Sequence, residues 1–246
     1  MIATVYQVKR YRGDFDGIID ATPVATNDVT EGYYVGFRAL QTNGLSWTCT
    51  DATEDTAVWA ADTSKDSEIG SSLRAVSDIV ARYCNNLFLY PDPDYTVMSG
   101  VIYGTNTLTF AAGAFDEMFY AGDSLLIMGS GRNNGYYIAG TVAATVLTMT
   151  LPFNTAMTDA RSQVIVCVSW PIALREIGAR MAEYDVYRRV GSAGLIQESI
   201  GSYSSTKEST DLFGTAYPNS VIAGISAYKR PRVATGVPLG FNGYTL

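Results

Sequence analysis

Short alternating stretches of apolar and polar residues run through the first part of the chain. GYYVGFRAL at 32–40 and GLSWTCT at 44–50 show this alternation, and TNG and TDATEDT lie between and after them. Alternation over a few residues, bounded by turn-forming residues, is typical of β-strands. Residues 1–66 are therefore predicted to form a small β-rich module.

The apolar pattern changes to helical spacing at Asp66, which with Ser67 is a candidate helix cap. Asn85 and Asn86 can end the helix. The apolar positions of this predicted first helix are Ile69, Leu73, Val76, Val80 and Tyr83.

Beyond the proline-rich PDPD at 91–94, which cannot continue a helix, the chain is rich in Val, Ile, Thr and Tyr and is punctuated by glycine. The predicted strands are 95–103, 107–110, 124–128, 135–142, 146–151 and 163–169. Four or more strands with one apolar face can form a stable module. Residues 95–169 are thus predicted to form an antiparallel β module, either a barrel or sandwich-like.

Helical spacing returns after Trp170, because Pro171 suits a first turn and an apolar stripe follows it. The stripe residues are Leu174, Ile177, Met181 and Tyr184. A shorter third helix is predicted over 218–228. The chain end after Pro231 has too many glycines and prolines for a regular element, so an extended arm is predicted there.

The stretch GDSLLIMGSGRNNGYYIAG at 122–140 has glycine spacing close to that of a dinucleotide-binding loop. Such a loop must be followed by a helix, whereas YYIAGTVAATVLTMT follows here and favours strands. Asn134-Gly135 is a strong hairpin signal. The stretch is therefore predicted to be a β-hairpin and not a phosphate site.

The amino-acid composition disfavours several classes of function, namely nucleic-acid binding, histidine-dependent catalysis and metal binding. The chain has 246 residues, 47% of them hydrophobic, and a formal charge of −7, which disfavours a protein that mainly grips nucleic acid. It has no histidine, and its three cysteines are far apart, so we expect no catalytic triad, metal site or cofactor. The chain also lacks an apolar run long enough to span a membrane, and no membrane partner is expected.

Two basic clusters are the candidate contacts with an acidic surface or with passing DNA. They consist of Arg188, Arg189, Lys229, Arg230 and Arg232. Each falls at the end of a predicted helix, where cations also complement the helix dipole.

RGDFDGIID at 12–20 faintly resembles part of a calcium loop, but the other ligand positions are missing, so a polar turn is favoured.

Three segments of predicted helical character are VARYCNNLFLYPD (80–92), WPIALREIGARMAEYDVYRRVGSAGLIQESIGSYSST (170–206) and YPNSVIAGISAYKRPRV (217–233). Together they resemble the head-tail connector, or adaptor, proteins of tailed bacteriophages. ESIGSYS, which follows the long helix and a glycine-containing break, is the most family-like part. The chain departs from simple members by the residues that precede its first helix and by the β segment between its helices.

The resemblance implies an α+β fold with a discontinuous helical connector core of three helices, 67–94 plus 170–233. The β-rich module 1–66 and the inserted module 95–169 would be additions to this core, and residues 234–246 a C-terminal arm. Arm residues that would contact the portal or a neighbouring chain are Val233, Val237, Leu239, Phe241 and Tyr244.

The family function would be structural and not enzymatic. The resemblance implies a homo-oligomeric ring, typically a dodecamer, that docks on the portal protein at the capsid vertex and receives the tail or the next connector ring. Genomic DNA would pass through its channel without sequence-specific binding, and the virion would be assembled in the bacterial host cytoplasm. The alternative is a receptor- or carbohydrate-binding tail or fibre protein, which would have exposed aromatic platforms and form a trimer.

Overall fold

A computed structural model describes residues 1–90, 94–188, 197–200, 203–206, 217 and 224–230. Strands dominate these residues, forming sheets of four, eight and two strands beside four α-helices. The predicted α+β fold with a three-helix core and an inserted barrel is therefore wrong. Outside the three resembling segments, β-branched and aromatic residues between glycine-rich turns favour strands, and these residues make most of the fold.

The first element is a helix, α1 (Val5–Arg12), which the sequence analysis did not predict. Thr4 and Gln7 form a capping box: the Gln7 backbone N–H donates to the Thr4 hydroxyl, and the Thr4 N–H donates to the Gln7 side chain. Gly13 ends the helix with a φ of 71°. On α1, the buried Lys9 donates to Gly44 O and Ser46 Oγ, both at 3.0 Å.

The four-stranded sheet follows α1 and confirms the predicted β-rich character of this region. Its strands, in spatial order, are β1 (Gly17–Ile19), β2 (Arg38–Gln41), β3 (Ser46–Asp51) and β4 (Val58–Ala61). The β1–β2 pair is parallel, and the other two pairs are antiparallel. β1 and β4 are therefore the edges of this sheet.

Helix α2 (Asp66–Cys84) confirms the first predicted helix. Its stripe residues Ile69, Leu73, Val76 and Val80 are fully buried. Asn85, one of the two predicted stop residues, follows the last helical residue. Its φ of 49° lies in the left-handed region, a conformation in which helices commonly end.

The eight-stranded sheet is antiparallel throughout. Its strands are β5 (Tyr95–Met98), β6 (Val101–Tyr103), β7 (Thr107–Thr109), β8 (Ser124–Met128), β9 (Gly135–Ala143), β10 (Val146–Met149), β11 (Met157–Asp159) and β12 (Gln163–Cys167). Their spatial order is β11-β6-β7-β10-β9-β8-β12-β5. All six predicted strands begin where an observed strand begins, although the first is divided at Ser99-Gly100 and β11 was not predicted.

This sheet folds back on itself through its first two strands. Only Ser99 and Gly100 separate β5 from β6, yet β5 lies at one end of the spatial order and β6 beside the other end. Met98 of β5 pairs with Gln163 of β12, and Val101 of β6 pairs with Asp159 of β11. The two strands thus pair with β11 and β12, which are also consecutive in the chain. Inside lies a hydrophobic cluster, and the short helix α3 (Phe115–Met118) contributes Phe115 to it.

Helix α4 (Ile172–Glu183) confirms the second predicted helix and continues as a π-helical segment, Tyr184–Arg188. Leu174, Ile177 and Met181 are buried, and Tyr184 is half-buried.

The hairpin of β13 (Gln197–Ile200) and β14 (Tyr203–Thr206) follows α4 in the chain. Of the third predicted helix, the described part is one 3-10 turn, Ile225–Tyr228; Gly224 has a φ of 90°, which interrupts an α-helix at that position.

The chain divides into two compact units. The first contains Met1–Ile2, Arg74–Leu174 and the described residues 224–230; the second contains Ala3–Leu73 and the described residues between 175 and 217. The division falls within α2 and within α4. The finer four-segment division given above stays a prediction. Among the described residues, none of the helices has the length and apolar character needed to cross a bilayer.

Candidate interaction surfaces

The basic pair Lys229 and Arg230 lies at the C-terminal end of α2. The Arg230 backbone N–H donates to Cys84 O at 2.8 Å, and the Lys229 ammonium lies 4.8 Å from the centre of the Tyr83 ring. Both basic side chains are exposed. Their position suits the negative end of the α2 dipole, and it leaves their outer surfaces accessible to a partner.

The other predicted contacts cannot be placed. Arg188 is the last residue of the π-helical segment, and its side chain lies outside the described residues. The remaining predicted contacts also lie outside them: Arg189, Arg232, Val233, Val237, Leu239, Phe241 and Tyr244.

The glycine-rich stretch forms the hairpin that was predicted, since β8 and β9 pair antiparallel from Ser124 with Ile138 to Ile127 with Gly135. The turn differs from the prediction: Gly135 already lies in β9, and residues 129–134 make a longer loop. A strand follows this loop, so it has no helix N-terminus to present to a phosphate.

Asp159, the last residue of β11, holds this loop in place. Its carboxylate accepts from the Gly131 N–H at 2.8 Å and from the Ser130 hydroxyl at 3.1 Å. The Gly131 hydrogen bond, followed by those of Arg161 and Ser130, lowers the pKa of Asp159 below its ordinary value. Gly129 must be glycine, because its φ is 85° and a Cβ there would lie 2.5 Å from Ser162 O.

Two of the three aspartates of RGDFDGIID are occupied by contacts within the chain. Asp14 forms ion pairs with Arg12 and Arg38, and Asp16 accepts from the Arg38 backbone N–H at 2.8 Å. A hydrogen bond to Asp16 raises the pKa of the Tyr34 phenol. Within the described ranges, no group of metal-ligating side chains of the kind that could hold an ion is found.

An apolar sheet edge, β4, was not predicted from the sequence. In β4, the side chains of Val58, Ala60 and Ala61 are exposed and Trp59 is half-exposed, so this strand is accessible on both faces. Val24 and Val29 are also exposed, at 57% and 59%, and their segment lies beside the start of β4 because the Ala57 N–H donates to Ala25 O. We call Val24, Val29 and Val58–Ala61 the β4 edge surface.

Charge is unevenly distributed in the unit that contains this surface. The acidic residues of 13–64 are Asp14, Asp16, Asp20, Asp28, Glu31, Asp51, Glu54, Asp55 and Asp62. Arg38 is the one basic residue in that range, whereas α1 carries Lys9, Arg10 and Arg12 and no acidic residue. The sheet and its loops are therefore acidic and the first helix is basic, a separation that the net charge of −7 conceals.

Comparison with known proteins adds no identity: no protein-family model matches the chain, and no curated protein matches it significantly.

Proposed function

We propose that the chain is a structural virion protein, a head-tail connector that forms a ring between the portal and the tail. The observation that carries this proposal is the contact of the second and third connector-like segments with helix α2 at one side chain. Asp185 of the second segment accepts a hydrogen bond from the Tyr217 hydroxyl of the third and, at 3.0 Å, from Ser72 of α2, the helix whose C-terminal end lies in the first segment. Residues far apart in the sequence thus pack together.

Further contacts between the first and third segments support the same proposal. The backbone bond from Arg230 to Cys84 and the Lys229–Tyr83 contact connect residues 224–230 to the end of α2. In the second segment, the long helix α4 is followed by the hairpin β13–β14, whose strands carry residues of ESIGSYS, the most family-like stretch; the sequence predicted a loop there and no hairpin.

The proposed ring is a homo-oligomer, typically of twelve copies, with the portal protein on one side and the tail or another ring on the other. DNA passes through its channel without sequence-specific binding. A net charge of −7 per copy suits this role, since an acidic protein repels passing phosphates and does not retain them. The place of action is the neck of the virion, after assembly in the host cytoplasm.

Electron microscopy of virions carrying a tagged copy of the chain tests the proposal. We expect density for a ring of about twelve copies at the capsid vertex, which is the closed cyclic assembly that head-to-tail contacts produce. Without the protein, filled heads should lack tails and lose DNA. A trimer located at the tail tip or on a fibre would contradict the proposal.

The alternative, a receptor- or carbohydrate-binding protein, has less support. It requires exposed aromatic platforms, but Tyr33, Tyr34, Phe37 and Trp59 pack edge to face against one another, with ring centroids 5.0 to 6.2 Å apart. Tyr34 is 52% exposed, but the four rings stand nearly perpendicular to one another and so do not form a flat platform on which a sugar would stack. A trimer that binds glycans would favour this alternative.

A further inference from the structure

The β4 edge surface is built as a rigid shape before any partner binds. Buried Asp28 accepts from the Thr30 N–H at 2.8 Å with one oxygen and from the Asp55 N–H at 2.7 Å with the other. The Trp59 indole N–H donates to Asn27 O at 3.1 Å. Residues 24–31 are thus fixed against 52–59, and a fixed surface loses little conformational entropy on binding.

The outer edge of β4 is unpaired and apolar among the described residues, which are properties of a strand that associates with a partner. β4 pairs with β3 on one side and, among the described residues, with no strand on the other. A strand edge that carries exposed Val and Ala side chains is prone to associate unless it is covered. Charged residues that would protect such an edge are absent from Val58–Ala61 itself and lie around it.

The surrounding charges are acidic and available. Glu31, Asp51, Glu54 and Asp55 are exposed, and none of them forms an ion pair with a described cation. A basic partner surface would therefore gain favourable charge contacts at the border of the apolar strand.

The same compact unit carries such a basic surface on its helices. Arg180 of α4 lies over the ring of Tyr11 in α1, with its guanidinium 5.1 Å from the ring centre, and Arg10 is next to Tyr11 in the chain. Both arginines are exposed, and neither forms an ion pair with a described carboxylate. We call Arg10, Tyr11 and Arg180 the α1–α4 basic surface.

We propose that the β4 edge surface of one copy binds the α1–α4 basic surface of the next copy. This inference rests on the proposed function, because it names the contact from which the ring is built. Two β4 edge surfaces cannot face each other without bringing like charges together, which disfavours a two-fold contact. The acidic and basic surfaces differ, so the contact is head-to-tail, and a head-to-tail contact forms a ring when the rotation from one copy to the next closes.

Charge reversal tests the contact. Glu54→Lys with Asp55→Lys, and separately Arg10→Glu with Arg180→Glu, should each weaken self-association by at least about tenfold, and the chain with all four changes should recover most of it, since reversed partners are again complementary. Sedimentation velocity at low and high salt measures the association. Asp116→Lys with Glu117→Lys is the matched control, with the same charge change on exposed residues of α3.

Crosslinking in assembled particles provides a second measurement that does not depend on association of the purified chain. The native cysteines Cys49, Cys84 and Cys167 are buried, so cysteines introduced at Glu54 and Arg180 together will be the reactive pair. A ladder of disulfide-linked copies after mild oxidation supports the contact. Particles that contain the ring but give no ladder overturn the contact and leave the proposed function standing, whereas particles without a ring overturn both.

Discussion

Asp159 shows how one carboxylate can determine the shape of a loop. It is buried in the folded chain, and its two oxygens serve the Gly131, Ser130 and Arg161 donors. Hydrogen bonds from backbone N–H groups to a carboxylate favour its charged form, so the folded chain holds its pKa below the ordinary 3.8. The negative charge, and not only the shape of the side chain, therefore stabilises the loop between β8 and β9.

Asp159→Asn should lower the stability of the chain by about 1–2 kcal/mol at neutral pH, because charge-assisted hydrogen bonds are replaced by neutral ones. A lowered pKa means that the stabilisation is complete above the ordinary value and is lost as the pH falls through the folded-state pKa. The difference between wild type and variant in urea unfolding should accordingly shrink in acid. Asp116→Asn, an exposed change on α3, is the control; a difference that stays constant down to pH 3 would contradict the prediction.

Helix α4 allows the same substitution to be tested on both of its faces. Ile177 is 9% exposed and Ile172 is 77% exposed. Ile177→Asp places an unpaired charge in the core and should cost about 3 kcal/mol or more, whereas Ile172→Asp should change stability by less than about 0.5 kcal/mol. Thermal unfolding of both variants measures this difference. If they melt alike, the assignment of the buried face is wrong.

The helices and strands that depend on local sequence pattern were predicted correctly. The stripes of α2 and α4 and the first residues of six strands were correct, because apolar periodicity and glycine punctuation act over a few residues. Helix α1 was missed although Thr4, Gln7 and Gly13 carry its capping signals, since the alternation seen at 32–50 was extended to the whole of 1–66. The three-helix core was wrong because a family resemblance in three segments was extended to the whole fold.

The candidate surfaces were harder to predict than the elements. Nothing in the local pattern of VWAA distinguishes an edge strand from a central one, since that depends on which strands pair with it. Similarly, the stacking of Arg180 on Tyr11 joins residues that are far apart in the sequence. The separation of acidic and basic residues could have been found from the sequence by counting the acidic residues over 13–64. The net charge of the whole chain conceals this separation.

At the scale of the whole molecule, the cysteines report on how the two compact units unfold. Cys49 lies in one unit, and Cys84 and Cys167 lie in the other. Burial raises the pKa of all three thiols, to about 11 for Cys84 and about 12 for Cys167. A thiol that is both inaccessible and protonated does not react with alkylating reagents, so labelling requires unfolding.

We expect all three cysteines to become labelled in a single transition. Helices α2 and α4 each contribute residues to both units, and an α-helix loses its hydrogen bonds cooperatively, so loss of one unit removes support from the other. Pulsed alkylation across a urea series, with the label at each cysteine quantified by mass spectrometry, measures this directly. Equal midpoints for Cys49, Cys84 and Cys167 are the expected result, and labelling after full denaturation gives the reference for each thiol. Labelling of Cys49 at distinctly lower urea than Cys167 would show that the four-stranded sheet unfolds alone, and the shared helices would then not couple the units.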